Sequence, residues 1–83
     1  MTNPDPTTVD SNIRQLLAEQ LGVNLDDIKD ESNIVLDLNA DSLDVIELVV
    51  TIEEFYDIDI PDSDAEKLAT VADVVVYVQK RIA

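Results

Sequence analysis

The sequence contains no cysteine, no histidine and no tryptophan, and only five of its 83 residues are lysine or arginine. The absence of cysteine excludes a disulfide framework and a thiolate metal site. The absence of histidine and cysteine also removes the commonest catalytic bases and nucleophiles, so the sequence does not predict a free-standing enzyme. A chain of this length is sufficient for one small domain with a modest core.

Long apolar segments are also missing. No apolar run is long enough to cross a bilayer, and residues 1–6 have neither the basic start nor the apolar core of a secretion signal. We therefore expect a cytoplasmic protein that does not insert into membranes. Residues 1–7 contain two prolines and no apolar pattern, which predicts a flexible N-terminal tail, and residues 8–83 are expected to form a single domain.

Negative charge dominates the composition, because 19 acidic residues give a formal net charge of −14. Charge of this density repels nucleic acid and anionic membrane surfaces, so neither is an expected partner. Thirteen acidic residues and no lysine or arginine lie between Asp30 and Glu66. A solvated acidic surface explains the net charge, but the uneven distribution favours a protein partner with a basic patch.

The first third of the chain predicts one helix followed by a long loop. Apolar residues recur at helical spacing over residues 8–21, with Thr8 or Asp10 available as the N-cap. The only glycine, Gly22, follows where a helix is expected to stop. Residues 23–40 carry isolated aliphatic side chains among polar ones, so we expect a long loop that these side chains pin in place.

The second predicted helix follows Asp41, a good N-cap, and continues to Tyr56, with Asp44 in its first turn. Its apolar residues form two faces, which require two partners. The wider face is expected to face the core, and it comprises Val45, Leu48, Val49, Ile52 and Tyr56. The narrower stripe consists of Leu43, Ile46 and Val50, and it is flanked by Glu47, Glu53 and Glu54.

Two interpretations of the narrow stripe are open. The long loop can fold over it as additional core, which for Leu43 is as reasonable as exposure. For Ile46 and Val50 we favour recognition of a partner, because an apolar patch inside an acidic rim has the usual composition of a protein interface.

The last third of the chain predicts a short third helix and a longer fourth helix. Ser63 and Glu66 have the spacing of a capping box, so a brief helix is expected over residues 62–68. Thr70 is the expected cap of the last helix, whose valine-rich stripe has a period of three to four residues and not two. The overall prediction is an all-α fold, a small four-helix bundle with a long loop between helices one and two and a short third helix.

A calcium loop was tested against the sequence. Asp37, Asn39 and Asp41 occupy the first, third and fifth positions of an EF-hand pattern. However, Ser42 stands where that pattern requires glycine, and Leu48 stands where it requires the bidentate glutamate. No specific metal site is therefore expected.

The segment Asp37-Leu38-Asn39-Ala40-Asp41-Ser42-Leu43-Asp44 closely resembles the Asp-Ser-Leu attachment motif of acyl carrier proteins. The resemblance continues through Ile46-Glu47-Leu48-Val49, Glu53-Glu54-Phe55 and Ile58-Asp59-Ile60-Pro61-Asp62 to the final helix. It therefore covers nearly the whole chain except the N-terminal tail.

The resemblance implies a carrier and not a catalyst. Ser42 matches the serine that receives a 4'-phosphopantetheine arm from coenzyme A, and Asp41 is the adjacent motif acid. By the same resemblance, a phosphopantetheinyl transferase modifies the protein, and acyl transferases, ketoacyl synthases and other enzymes with basic patches then exchange acyl thioesters with it. The face that meets these enzymes would comprise Leu43, Asp44, Ile46, Glu47, Val50, Glu53 and Glu54, and the carrier would act as a monomer.

One position departs from the family pattern, because Asn39 stands where glycine is common. Asparagine tolerates a left-handed backbone better than most residues, so the turn is expected to persist. The carrier could serve fatty acid synthesis, a polyketide or specialised lipid pathway, or an aminoacyl load. A rival of a different class is an unmodified acidic interaction module that docks a basic partner through helix two and does not require the Ser42 hydroxyl.

Overall fold

The protein is described by a computed structural model over residues 9–82. Within that range the chain is helical, with a 3-10 turn at Leu25–Asp27 and no strand beyond one isolated β-bridge. No helix of this part of the chain is long and apolar enough to cross a membrane. The predicted tail, residues 1–7, lies outside the described residues. The helices are α1 (Val9–Leu21), α2 (Ser42–Tyr56), α3 (Asp62–Ala65) and α4 (Val71–Ile82), which confirms the predicted four-helix fold.

Local interactions are found at both ends of α1. Gly22 adopts a φ of 67° directly after α1, as expected for a residue that ends a helix in the left-handed conformation. Asp10 lies inside α1 and pairs with Arg14, and Thr8 lies outside the described residues.

The start of α4 is a reciprocal capping box. The Thr70 hydroxyl accepts a hydrogen bond from the Asp73 N–H at 3.1 Å, and the Asp73 carboxylate accepts one from the Thr70 N–H at 3.1 Å. The backbone N–H groups of Thr70 and Ala69 lower the pKa of Asp73, because they stabilise its ionised form. The predicted Thr70 cap is thereby confirmed.

Helix α3 is shorter than predicted, since it ends at Ala65, and the predicted capping box of Ser63 and Glu66 is wrong. The N-cap is Pro61, which has an extended backbone (φ −61°, ψ 151°) and contributes no side-chain cap. Because the helix already begins at Asp62, Ser63 lies within the first turn and not at the cap position.

Helices α1, α2 and α4 share one core to which α3 contributes no fully buried side chain. The loop between α1 and α2 contributes four buried aliphatic residues, which confirms that its side chains pin it. These are Ile28, Ile34, Leu38 and Ala40. The buried residues of the helices are Val9, Ile13, Leu17, Leu48, Ile52, Tyr56, Val71, Val74, Val75 and Val78, and Ile60 follows α2.

Backbone hydrogen bonds attach this loop to the start of α4. Arg14 of α1 also holds the loop, since it donates to the carbonyl of Ile28 and to the carboxylate of Asp30. These contacts fix the position of the loop, and therefore the point at which α2 begins. The bonds to the start of α4 run from Ile34 N–H to the Ala69 carbonyl (3.0 Å), from Val71 N–H to the Ser32 carbonyl (3.1 Å) and from Ala72 N–H to the Asp30 carbonyl (2.9 Å).

Candidate functional site

Ser42 is the first residue of α2, and its side chain is exposed. The helix start is held by its neighbours. The Asp41 carboxylate accepts a hydrogen bond from the Asp44 N–H at 2.9 Å, and the Asp44 carboxylate accepts one from the Asp41 N–H at 3.2 Å. This reciprocal capping box turns both carboxylates toward the backbone, and it leaves the Ser42 hydroxyl without a partner among residues 9–82.

The start of α2 suits a phosphate. The N–H groups of Ser42 and Leu43 have no acceptor within the described part of the chain, as is usual for a first helical turn. Together with the positive end of the helix dipole, they favour an anion at this point. A phosphopantetheine arm is joined to serine through a phosphodiester, so the exposed hydroxyl and the two open amides fit that group.

Asn39 adopts the left-handed conformation, with a φ of 60°. This is the conformation in which glycine carries no steric cost and asparagine carries less than other residues. The chain turns here, so that Ala40 is buried and donates its N–H to the Ile34 carbonyl at 3.2 Å. The turn expected at Asn39 is therefore present.

The narrow stripe of α2 is not covered by the loop. Leu43, Ile46 and Val50 are 62%, 59% and 45% exposed. The alternative in which the loop folds over this stripe is excluded by these exposures. Glu47 and Glu54 are exposed as well, so apolar and acidic side chains share one surface of α2.

Glu53 differs from the other glutamates of α2. It is half-buried, and its carboxylate accepts a hydrogen bond from the Ile60 N–H at 2.8 Å. This bond ties the segment after α2 back onto the helix. Glu53 therefore has a structural role that the sequence pattern did not reveal, in addition to its place in the acidic rim.

Among residues 9–82, the Ser42 hydroxyl makes no hydrogen bond to a group that could activate it as a catalytic nucleophile. No base lies within hydrogen-bond reach of its hydroxyl among the described residues, and no cluster of three or more metal-ligating side chains occurs between residues 9 and 82.

A cavity of about 180 Å³ lies between α2, the loop, α3 and α4. It is about six times the volume that one water molecule occupies in the liquid, so it has room for a short aliphatic chain. Nine of its ten lining residues are aliphatic. They are Ile34 and Val35 of the loop, Val45, Leu48, Val49 and Ile52 of α2, Ala65 at the end of α3, Leu68 after it and Val74 of α4; the tenth is Glu66.

Comparison with known proteins agrees with this geometry. Residues 11–78 match the family described as "Phosphopantetheine attachment site". The chain is 55% identical over 67 residues to "Acyl carrier protein" of Wolinella succinogenes, covering 81% of this chain and 88% of that protein. It is 51% identical over 69 residues to "Acyl carrier protein" of Bdellovibrio bacteriovorus, covering 83% and 88%. The exposed serine, its helix start and these matches together show that the chain belongs to the acyl carrier protein family, whose members carry acyl groups on phosphopantetheine.

Proposed function

We propose that Ser42 is the attachment residue for the 4'-phosphopantetheine arm. The observation that carries this assignment is the exposed hydroxyl at the first residue of α2, beside two open backbone amides. In the transfer, the Ser42 oxygen forms a bond to the diphosphate phosphorus of coenzyme A that carries the pantetheine group. The nucleotide half of coenzyme A leaves, and a base of the phosphopantetheinyl transferase takes the serine proton. The thiol at the end of the arm holds the acyl group as a thioester.

The residues around Ser42 have distinct roles in this proposal. Asp41 and Asp44 hold the helix start, so the hydroxyl stays in one position while the transferase aligns coenzyme A. The amides of Ser42 and Leu43 stabilise the phosphate once it is attached. Asn39 keeps the preceding turn in its left-handed conformation.

The exposed surface of α2 is the proposed docking face for the transferase and for acyl-transferring enzymes of fatty acid or related biosynthesis. It comprises Leu43, Asp44, Ile46, Glu47, Val50, Glu53 and Glu54. The apolar stripe supplies the area that is buried on docking, and the carboxylates steer the protein toward basic patches in a salt-dependent encounter. Such enzymes lie in the cytoplasm, which is the proposed location of the carrier.

The aliphatic cavity is the proposed shelter for the acyl chain. It is bounded by α2, on which the arm would be attached, and its lining offers an acyl chain the apolar contacts that water does not. A chain held there would be removed from solvent between visits to successive enzymes.

Intact mass spectrometry tests the attachment. The purified protein is incubated with coenzyme A, magnesium and a broad-specificity phosphopantetheinyl transferase, beside Ser42→Ala. We expect a gain of one phosphopantetheinyl group that is absent from the variant. An Asn39→Gly variant is run in parallel. A gain in Ser42→Ala, or no gain in both the wild type and Asn39→Gly, would overturn the assignment. If the wild type is not modified but Asn39→Gly is, the failure lies in recognition of the Asn39 turn by the transferase.

The docking face is tested by matched substitutions. Ile46→Ser on α2 is compared with Val76→Ser on α4, because both side chains are about half exposed. Glu47→Lys is compared with Glu19→Lys, since both glutamates are exposed. We expect the α2 variants to raise KM for modification and the two control variants to leave it unchanged. Equal changes in KM within each pair would contradict the docking face, because they would show that the position of the charge or of the apolar side chain does not matter.

The rival function, an unmodified interaction module, shares the same apolar and acidic face. It predicts that Ser42→Ala retains the full activity of the protein in cells or extracts. The carrier function predicts complete loss of that activity, so the same variant separates the two.

A further inference from the structure

The short helix α3 is attached to α4 by one cluster of polar side chains. The Asp64 carboxylate of α3 accepts a hydrogen bond from the Tyr77 hydroxyl at 2.8 Å and another from the Arg81 guanidinium at 3.1 Å. Arg81 also donates to the Tyr77 hydroxyl at 2.8 Å, and its guanidinium lies 5.1 Å from the centre of the Tyr77 ring. We refer to Asp64, Tyr77 and Arg81 as the α3 latch.

The charges of the three latch side chains favour their association. The Tyr77 hydroxyl and the Arg81 guanidinium lower the pKa of Asp64, and the nearby Lys67 adds to this effect. Burial and the bond to Asp64 raise the pKa of Tyr77. At neutral pH the latch therefore joins an ionised carboxylate to a neutral phenol and a guanidinium, and hydrogen bonds to ionised groups are the stronger kind.

The other contacts of α3 with the rest of the molecule include apolar packing of Ala65, and of Leu68 just after the helix, against the core. The helix has four residues, none of them fully buried, and its N-cap makes no side-chain hydrogen bond. Its backbone bonds are local, from Pro61 to Leu68. The Asp64 carboxylate joins α3 to α4 through the side-chain hydrogen bonds from Tyr77 and Arg81, and it forms an ion pair with Arg81.

Helix α3 forms part of the wall of the aliphatic cavity. Ala65 at the end of α3 and Leu68 just after it line the aliphatic cavity together with Val45 and Val49 of α2. The remaining walls belong to α2, α4 and the loop that is bonded to α4, all of which contribute buried core residues. The cavity can therefore enlarge most easily by movement of α3 away from α2.

We propose that the α3 latch sets how far the aliphatic cavity opens, and hence the length of acyl chain that the protein shelters. This inference rests on the proposed function, in which the acyl chain enters that cavity. At its closed volume of about 180 Å³ the cavity accommodates roughly six methylene-sized groups. A longer chain must displace α3, and the latch opposes that displacement. Tyr77 and Arg81 are thus positioning residues for the cavity wall, although neither lines the cavity.

The first arm of the test requires no acyl group. Amide hydrogen exchange of residues 62–68 is measured in the unmodified protein, in Tyr77→Phe, and in Arg81→Gln beside the control Lys80→Gln. Tyr77→Phe and Arg81→Gln each remove one bond to Asp64 together with the bonds from Arg81 to the Tyr77 hydroxyl. Exchange should therefore accelerate at least about tenfold in both variants, and not in Lys80→Gln. Exchange at wild-type rates in both latch variants would overturn the proposal. Arg81 is exposed, so Arg81→Gln provides a folded variant if Tyr77→Phe does not fold.

The second arm uses protein loaded with saturated acyl groups of increasing length. The rate of thioester cleavage by hydroxylamine reports how well each chain is sheltered. In the wild type we expect protection to rise with length and level off near the length that fills the closed cavity. In Tyr77→Phe the levelling should move to longer chains by at least two carbons, whereas Lys80→Gln should match the wild type.

The outcomes separate the latch from the proposed function. Protection that depends on chain length, but is identical in all variants, would overturn the latch and leave the carrier assignment intact. Protection independent of chain length in every protein would overturn both the shelter and the role of the latch in chain length. Failure of Ser42 to accept the arm would refute the carrier assignment alone, and the exchange arm would still decide whether the latch holds α3.

Discussion

Replacing Asp41 with alanine tests how the attachment serine is held. The substitution removes the acceptor for the Asp44 N–H, which the carboxylate now binds at 2.9 Å. Loss of an N-cap costs about 1 kcal/mol, within a range of roughly 0.5–2. Loss of a negative charge at the helix start costs about 0.3–1 kcal/mol more. We expect the free energy of unfolding to fall by about 1–2 kcal/mol in total.

This loss is large for a small domain. At about 4–8 °C of melting temperature per kcal/mol for domains of 60–100 residues, Asp41→Ala should lower Tm by roughly 4–16 °C. Urea unfolding followed by circular dichroism gives the free energy, and a thermal melt gives Tm. A melt within 2 °C of the wild type would refute the reasoning.

Asp41→Asn is the matched control, because asparagine caps a helix about as well as aspartate but carries no charge. It should cost less than about 1 kcal/mol. A loss equal to that of alanine would mean that the charge, and not the cap, holds the start of α2. The same variant also separates folding from recognition: slow modification of a stable Asp41→Asn protein would show that the transferase reads the carboxylate itself.

Three further predictions follow from single contacts. Glu53→Lys should lower the free energy of unfolding by about 1–3 kcal/mol in urea titrations, because the Ile60 N–H loses its acceptor, whereas Glu53→Gln should cost less than about 1 kcal/mol. Tyr56→Phe should change the free energy of unfolding in urea by less than about 1 kcal/mol: the buried Tyr56 hydroxyl makes no hydrogen bond of normal geometry among residues 9–82, and the Asn12 side chain only partly offsets the rise that burial causes in its pKa. Asp64 and Asp73 have lowered pKa values, so the stability that their ionised forms give to the folded protein is complete above the ordinary value of 3.8 and is lost as the pH falls through the lowered values. Acid titrations in high salt should therefore show a shallower loss of folding stability in Asp64→Asn and in Asp73→Asn than in the wild type.

Periodicity and caps predicted most of the fold because both act over a few residues. The spacing of aliphatic side chains predicted α1 and α4, and Thr70 predicted the start of α4 through a bond that spans three residues. The two faces of α2 could also be separated, since one repeating pattern assigns Leu48 to the core and Ile46 to solvent. Ser42 was singled out by its motif, and its exposure at the start of the helix is observed.

The predictions failed where structure depends on contacts that are distant in sequence. The bond from Ile60 to Glu53 spans seven residues, and the bonds from Tyr77 and Arg81 to Asp64 span 13 and 17. No local rule anticipates such pairs. The spacing of Tyr77 and Arg81, four residues apart on one helix, was the only signal of the latch, and by itself it indicates no partner on α3.

The short α3 was misjudged for a related reason. A capping box was assigned from the spacing of Ser63 and Glu66, but such spacing is frequent in an acidic, serine-containing segment. The extended backbone of Pro61 places the N-cap two residues before Ser63, and the α-helical conformation ends at Ala65, before Leu68 is reached. A four-residue helix has too few repeats for periodicity to correct such an error.

The exclusion of α3 from the fully buried core divides the molecule into two parts with separable tolerances. Substitutions within the core of α1, α2 and α4 are constrained by close packing, where even one methylene is felt. Substitutions in α3 and in the turn after it change side chains that are only partly buried, such as Ala65 and Leu68, which line the cavity and pack against that core. Related chains can therefore diverge in the cargo they shelter while the scaffold that presents the serine is kept, and a designer can alter the first property without first re-engineering the second.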